Sequence, residues 1–147
     1  KRESRRLMGD YIYTLNDMIS GTQFADAVAE EIREVDVHYQ RIETGSPYDF
    51  ISEALYRKVP RYYIPFRCLY SRNIDNLMMA GRCFSCSHVG LGGPRVMRTC
   101  GQMGIAVGYA ASLCKKYDTD PRNIYKDHLQ ELKDLIAGTA ANKKTLD

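Results

Sequence analysis

Apolar and polar positions along the 147 residues fall first into short alternating runs and then into two longer stretches of helical period. Residues 9–15, GDYIYTL, open on glycine and are rich in Tyr and Ile, which predicts a strand. In the run that follows, SGTQFADAVAEEI, Phe24, Ala27, Val28 and Ile32 have the spacing of a short helical face. EVDVHYQ, residues 34–40, sets Val35, Val37 and Tyr39 against polar neighbours, the pattern of a half-buried strand. Gly45, Pro47 and Pro60 make residues 43–60 a loop-rich connection. RYYIPFRCLYS is β-prone, with Pro65 predicting an edge or a bend. NLMMAG, residues 76–81, is a short apolar run ending in glycine and predicts a buried strand.

From Gly81 to Gly93 the chain is glycine-rich and loop-like. A helix is predicted from Pro94 to Lys116, because proline suits the first helical position. Met97, Cys100, Gly104, Val107, Ala111 and Cys114 recur along it at spacings of three or four. TDPRNIYKDHLQELKDLIAG predicts a second helix, capped by Asp120, begun by Pro121 and ended by Gly138. Ile124, His128, Leu132, Leu135 and Ile136 lie along one side of it. There is no internal repeat and no low-complexity segment.

Composition narrows this picture. The length suits about one domain of ~100–200 residues, and 44% hydrophobic with 27% charged residues is a globular balance. A net charge of +3 is a mild excess that reads as a solvated surface rather than a nucleic-acid footprint, and the opening KRESRR is broken by Glu3 and Ser4. The longest uncharged run, Thr99 to Cys114, is shorter than the ~20 residues of a membrane-spanning helix. The chain begins with Lys1 rather than Met, so a fragment is expected. Five cysteines cannot all pair within one chain, and reduced, mostly buried thiols are the expectation.

Residues 76–114 hold four of the five cysteines and seven of the eleven glycines. Cys83, Cys86 and His88 could form a small thiol-redox or metal-binding module. A structural zinc site needs four ligands, usually as two pairs, and no second pair follows. HVGLGGPR lacks the G-x-G-x-x-G spacing, yet it connects an apolar run to a helix start. A helix start offers free N–H groups and a partial positive charge to an anion or an electron-rich carbonyl. Gly92 and Gly93 would let a flat ligand approach the backbone; a loop without ligand is the alternative. Gly101, Gly104 and Gly108 each cost about 1 kcal/mol in a helix interior, and with Ala106, Ala110 and Ala111 they remove bulk. A sheet, a helix or a cofactor must come close.

These residues carry a resemblance. IPFRCLYSRNIDNLMMAGRCFSCSHVGLGGPRVMRTCGQMGIAVGYAASL resembles the C-terminal part of the FAD-dependent oxidoreductase family found widely in bacteria, which runs through Ile-Pro-Tyr-Arg, Asp-Asn-Leu, Ala-Gly-Arg, a loop with Ser and His, Arg-Val-Met, Thr-Cys and Gly-Gln-Ala-Ala-Gly. RESRRLMGDYIYT is similar to an Arg-Glu-Ser-Arg-Arg stretch upstream in the same family, so nearly the whole of residues 2 to 125 is covered in order. The resemblance implies an α/β fold: a C-terminal fragment of a two-domain FAD-binding flavoprotein, mixed α+β as an isolated chain. Residues 1–70 would be the end of the substrate domain and return strands, 71–118 the C-terminal part of a Rossmann-like FAD-binding domain, and 119–147 a C-terminal helix and tail.

Implied with it is FAD as cofactor, hydride transfer to or from a small molecule, and a cofactor contact set. Gly81 and Arg82 would lie near the phosphate and ribityl region, Gly92 and Gly93 in the loop, and Arg95, Val96 and Met97 at the pyrimidine edge of the flavin. A helix N-terminus there stabilises the negative charge of the reduced ring. Two departures stand out. The family's N-terminal G-x-G-x-x-G loop is absent, so the isolated chain is expected to bind FAD poorly. After Gly101-Gln102, two of the family's small positions are the bulkier Met103 and Ile105.

His88 is the acid–base candidate, since a histidine titrates near neutrality; a loop histidine bonded to backbone is the alternative. Arg5 and Arg67 are candidates to bind a substrate carboxylate or phosphate bidentately, with surface salt bridges as the alternative. No metal, nucleic-acid or membrane partner is expected. A cytoplasmic setting is slightly favoured, and the sequence does not set the substrate or oligomeric state.

Overall fold

The computed structural model describes residues 5–40 and 52–144. Its first helix, α1 (Leu15–Ser20), starts where Asp17 accepts from both the backbone N and the Oγ1 of Thr14, each at 2.8 Å. It ends at Gly21, whose φ of 58° is left-handed. That stop overturns the helical face expected over SGTQFADAVAEEI. Ala27–Glu31 instead forms strand β1, antiparallel to β4 (Tyr62–Pro65), with Glu31 opposite Tyr62, Ala29 opposite Ile64 and an irregularity between Ala27 and Ala29. Small residues fit either period, and the partner strand decided.

Strand β2 (Val35–Gln40) lies where the alternation placed it. It pairs with β3 (Ser52–Arg57), from Val35 opposite Arg57 to Gln40 opposite Ser52. The loop reading of 43–60 is therefore corrected over 52–57, while 41–51 lie outside the described residues. The strand expected over 9–15 reduces to an extended ribbon. Tyr13 forms a parallel bridge with Cys86, and Tyr13 N donates to Ser85 O at 3.0 Å. NLMMAG is likewise no regular strand: it folds back on residues 69–71 through a bridge between Tyr70 and Met78, with Met79 N donating to Leu69 O at 2.8 Å. Met79 is buried as expected.

Helix α2 (Met97–Tyr117) begins three residues after Pro94. Val96 is its extended N-cap, so Pro94 belongs to the preceding turn. Its buried row is Thr99, Met103, Ala106, Ala110 and Leu113, one side over from the row read from periodicity. The second helix is two: α3 (Pro121–Asp127) and α4 (Leu129–Lys144), broken at His128, whose ring stacks on Tyr117 at 3.8 Å. Pro121 opens α3, Asp120 makes no side-chain cap, and Gly138 does not end α4. Ile124 and Leu132 are fully buried.

The core joins Tyr13, Met18, Val28, Ile64, Phe66 and Tyr70 to Met103, Leu113, Ile124 and Leu132. Helices together with two small antiparallel sheets make the described residues a mixed α/β fold. No helix among them is long and apolar enough to cross a membrane.

Candidate functional site

The approach to α2 is built from residues 81–96. Gly81 starts a 3₁₀ turn (Gly81–Cys83) at φ 74°, a left-handed conformation that favours glycine. A Cβ there would lie 3.7 Å from Cys100 Sγ in the opening turns of α2, so the structure brings Gly81–Arg82 and the helix start together. Arg82 is exposed. Burial pushes the Cys100 thiol up, against the lowering effect of the Arg82 charge.

Gly92 and Gly93 are held differently. A Cβ on Gly92 would lie 2.9 Å from Val37 Cγ2 and 3.0 Å from Val35 Cγ1. One on Gly93 would run into the Tyr62 hydroxyl. The close approach expected of a flat ligand is thus made by the chain's own side chains, and both glycines are buried. Asp36 N donates to Gly92 O at 3.2 Å, which docks the loop on β2.

Arg95 continues that docking. Its Nη2 donates to Asp36 Oδ2 at 2.8 Å and to Asp36 O at 3.1 Å, and the carboxylate is almost fully buried. Nε2 of His38 lies 2.8 Å from the other carboxylate oxygen. Arg95 therefore fixes where α2 begins and does not reach outward. Immediately beyond it the surface opens: no side chain caps α2, and Met97 is 92% exposed. At Gly101, Gly104 and Gly108 an added Cβ would meet nothing within 4 Å.

His88 is exposed at the head of a 3₁₀ turn, Val89–Leu91, where its carbonyl accepts from Leu91 N at 3.3 Å. Arg5 is exposed. Arg67 does bind a carboxylate bidentately, but an internal one: Nε and Nη2 donate to the Asp26 oxygens at 2.9 and 3.0 Å. Asp26 is 1% exposed, and the guanidinium lies 5.3 Å from the ring centres of both Tyr11 and Tyr125. The bidentate fork expected to meet a substrate is thus engaged with Asp26 inside the fold.

The thiol module separates as well. Cys83 is exposed while Cys86 is buried beside Tyr13, its carbonyl accepting from Arg6 Nε at 2.8 Å. Among the described residues no group of three or more His, Cys, Asp or Glu side chains could hold a metal ion.

Three side chains that the pattern did not single out place α2. Gln102 bonds the backbone of Glu30 at both ends of its amide. The buried Glu31 carboxylate accepts from Thr99 Oγ1 at 2.7 Å and from the N–H groups of Ile32 and Arg33. Asp36 holds Arg95. The Gly-Gln pair of the resemblance was the available signal for Gln102; the two acids carried none.

The model of the family described as FAD dependent oxidoreductase matches residues 1–134. Neither a curated protein nor a solved structure matches the chain. The chain belongs to the FAD dependent oxidoreductase family, whose members use FAD for redox chemistry.

Proposed function

We propose that this chain is the C-terminal part of its flavoprotein and supplies one wall of the flavin site. The fold-back ending at Ala80, the turn from Gly81 and the start of α2 form that wall. The observation that carries the reading is the open face of α2. Three glycines in a helix interior cost about 1 kcal/mol each relative to alanine, and here none is required by a neighbour among the described residues. A surface that gains nothing locally from being bare is explained by something pressed against it.

The residues fit FAD at two places. The left-handed Gly81 backbone and the exposed Arg82 suit the phosphate and ribityl region. The uncapped start of α2, at Val96 and Met97, offers N–H groups and a partial positive charge to the electron-rich pyrimidine edge. Arg95, Gly92 and Gly93 take a supporting part: the ion pair to Asp36 and the packing on Val35, Val37 and Tyr62 hold the helix start in place. Bound FAD would supply hydride transfer to or from a small molecule. His88, exposed on the preceding loop, is proposed to exchange the accompanying proton.

Two checks test this. The reading frame upstream should encode a strand, a G-x-G-x-x-G loop and a helix. The full-length product should purify yellow or take up FAD on reconstitution. A frame with no such unit, or a full-length protein that takes up no flavin, contradicts the proposal.

A further inference from the structure

Burial divides the pair of thiols that sequence spacing joined, Cys83 and Cys86, while a third, Cys100, comes close to the turn that holds Cys83. Cys83 ends the turn that Gly81 begins, and its Sγ folds back to within 3.3 Å of Ala80 O. Cys100 reaches the same link from α2, with its Sγ 3.7 Å from where a Cβ on Gly81 would stand. Both thiols are therefore neighbours of Gly81, Cys83 two residues along its turn and Cys100 across from it on α2. Position 81 has a φ of 74° and no side chain, which leaves open the space beside Cys100.

We propose that Cys83 and Cys100 form an oxidation site in which Cys83 is the attacking thiol and Cys100 resolves it to a disulfide. The accessibilities divide the roles: Cys83 is exposed, whereas Cys100 is partly covered. With hydrogen peroxide as oxidant, the Cys83 thiolate attacks one peroxide oxygen, the O–O bond breaks, and hydroxide leaves with sulfenic acid on Cys83. The Cys100 thiolate then attacks that sulfur, forming the S–S bond and releasing the second oxygen as water. Two thiols lose two electrons and two protons, and one peroxide becomes two waters. Burial disfavours the Cys100 thiolate, and the neighbouring Arg82 charge offsets only part of that, which suits Cys100 to the resolving rather than the attacking role. The other three cysteines are placed differently: Cys68 and Cys86 are buried, and Cys114 lies at the far end of α2. Closing the bridge would tie the turn at Gly81 to α2 and so brace the surface assigned above to the flavin, but the pairing does not depend on that assignment.

The test is peroxide treatment of the purified full-length protein, followed by thiol counting after denaturation and by peptide mapping. Two of the five thiols should disappear as one Cys83–Cys100 linkage, whether or not flavin is bound. Cys83→Ser should abolish that linkage. Cys100→Ser should leave Cys83 as a sulfenic acid trapped by dimedone. A linkage mapped to Cys68 and Cys86, or over-oxidation of Cys83 in the unaltered protein with no linkage, overturns the proposal.

Discussion

Gln102 on α2 closes the free edge of β1 by treating Glu30 as a strand neighbour would: its Oε1 accepts from Glu30 N at 3.0 Å and its Nε2 donates to Glu30 O at 2.9 Å. One edge of β1 pairs with β4, and this amide satisfies backbone groups that helix packing would otherwise strand. Gln102→Leu leaves both unsatisfied and should destabilise the fold by about 2 kcal/mol, read as a lower urea midpoint. Gln102→Glu keeps the acceptor and loses the donor, and should cost less than leucine.

Beside it, the Glu31 carboxyl is held below its ordinary value of 4.5. Burial pushes it up, but the Ile32 N–H, the Thr99 hydroxyl, the Arg33 N–H and the Arg98 guanidinium outweigh that and pull it down. A depressed carboxyl contributes stability that is present above 4.5 and is lost as pH falls through its lower folded value. Chemical denaturation above and below 4.5 should therefore show a smaller acid loss in Glu31→Gln than in the unaltered protein. An equal loss in both would remove Glu31 from this role.

Arg67 gives a contrast between support and substrate binding. Removing it in Arg67→Ala leaves the Asp26 carboxylate buried with its strongest partner gone, which should cost about 3 kcal/mol. Thermal melts check this. Arg67→Ala with unchanged stability would contradict a supporting role for this pair.

Gly81 and Gly93 should fail for different reasons. Gly81→Ala meets only ordinary contacts but must hold a φ of 74°, a strain of about 1–2 kcal/mol. Gly93→Ala drives a methyl into the Tyr62 hydroxyl, and overpacking of this kind costs about 1–3 kcal/mol. Enlarging the gap in Gly93→Ala by Tyr62→Phe should recover stability, while the same change should do nothing for Gly81→Ala.

Residues of this chain announced some elements and hid others. Pro121 marked the start of α3 because its ring suits a first turn whatever surrounds it. The alternation of Val35 and Val37 exposed β2 for a similar reason, since one face must be buried. Its partner β3 was illegible: SEALYR carries no strong period, and only the pairing of Val35 with Arg57 through Gln40 with Ser52 makes it a strand. At the site, the Gly81 turn and the start of α2 were legible through Gly-Arg and Arg-Val-Met. The inward packing of Gly92 and Gly93 was not, because a glycine in sequence does not say which neighbour needs its bareness. The buried side of α2 was missed for a related reason, since glycine and alanine fill several rows at helical spacing and the row that reaches the core mixes Met103 and Leu113 with Ala106 and Ala110.

The open face of α2 tests the flavin reading most directly. With no neighbour within 4 Å, Gly104→Ala should stabilise the described chain by about 1 kcal/mol, the ordinary helix preference. Gly104→Leu in the full-length protein should leave the helix content of the circular dichroism spectrum intact and weaken FAD binding at least roughly tenfold, the equivalent of about 1.4 kcal/mol of lost close packing. FAD titration of the full-length protein and its Gly104→Leu variant is the decisive measurement. Equal affinity in both, or no FAD binding by either, would contradict the account.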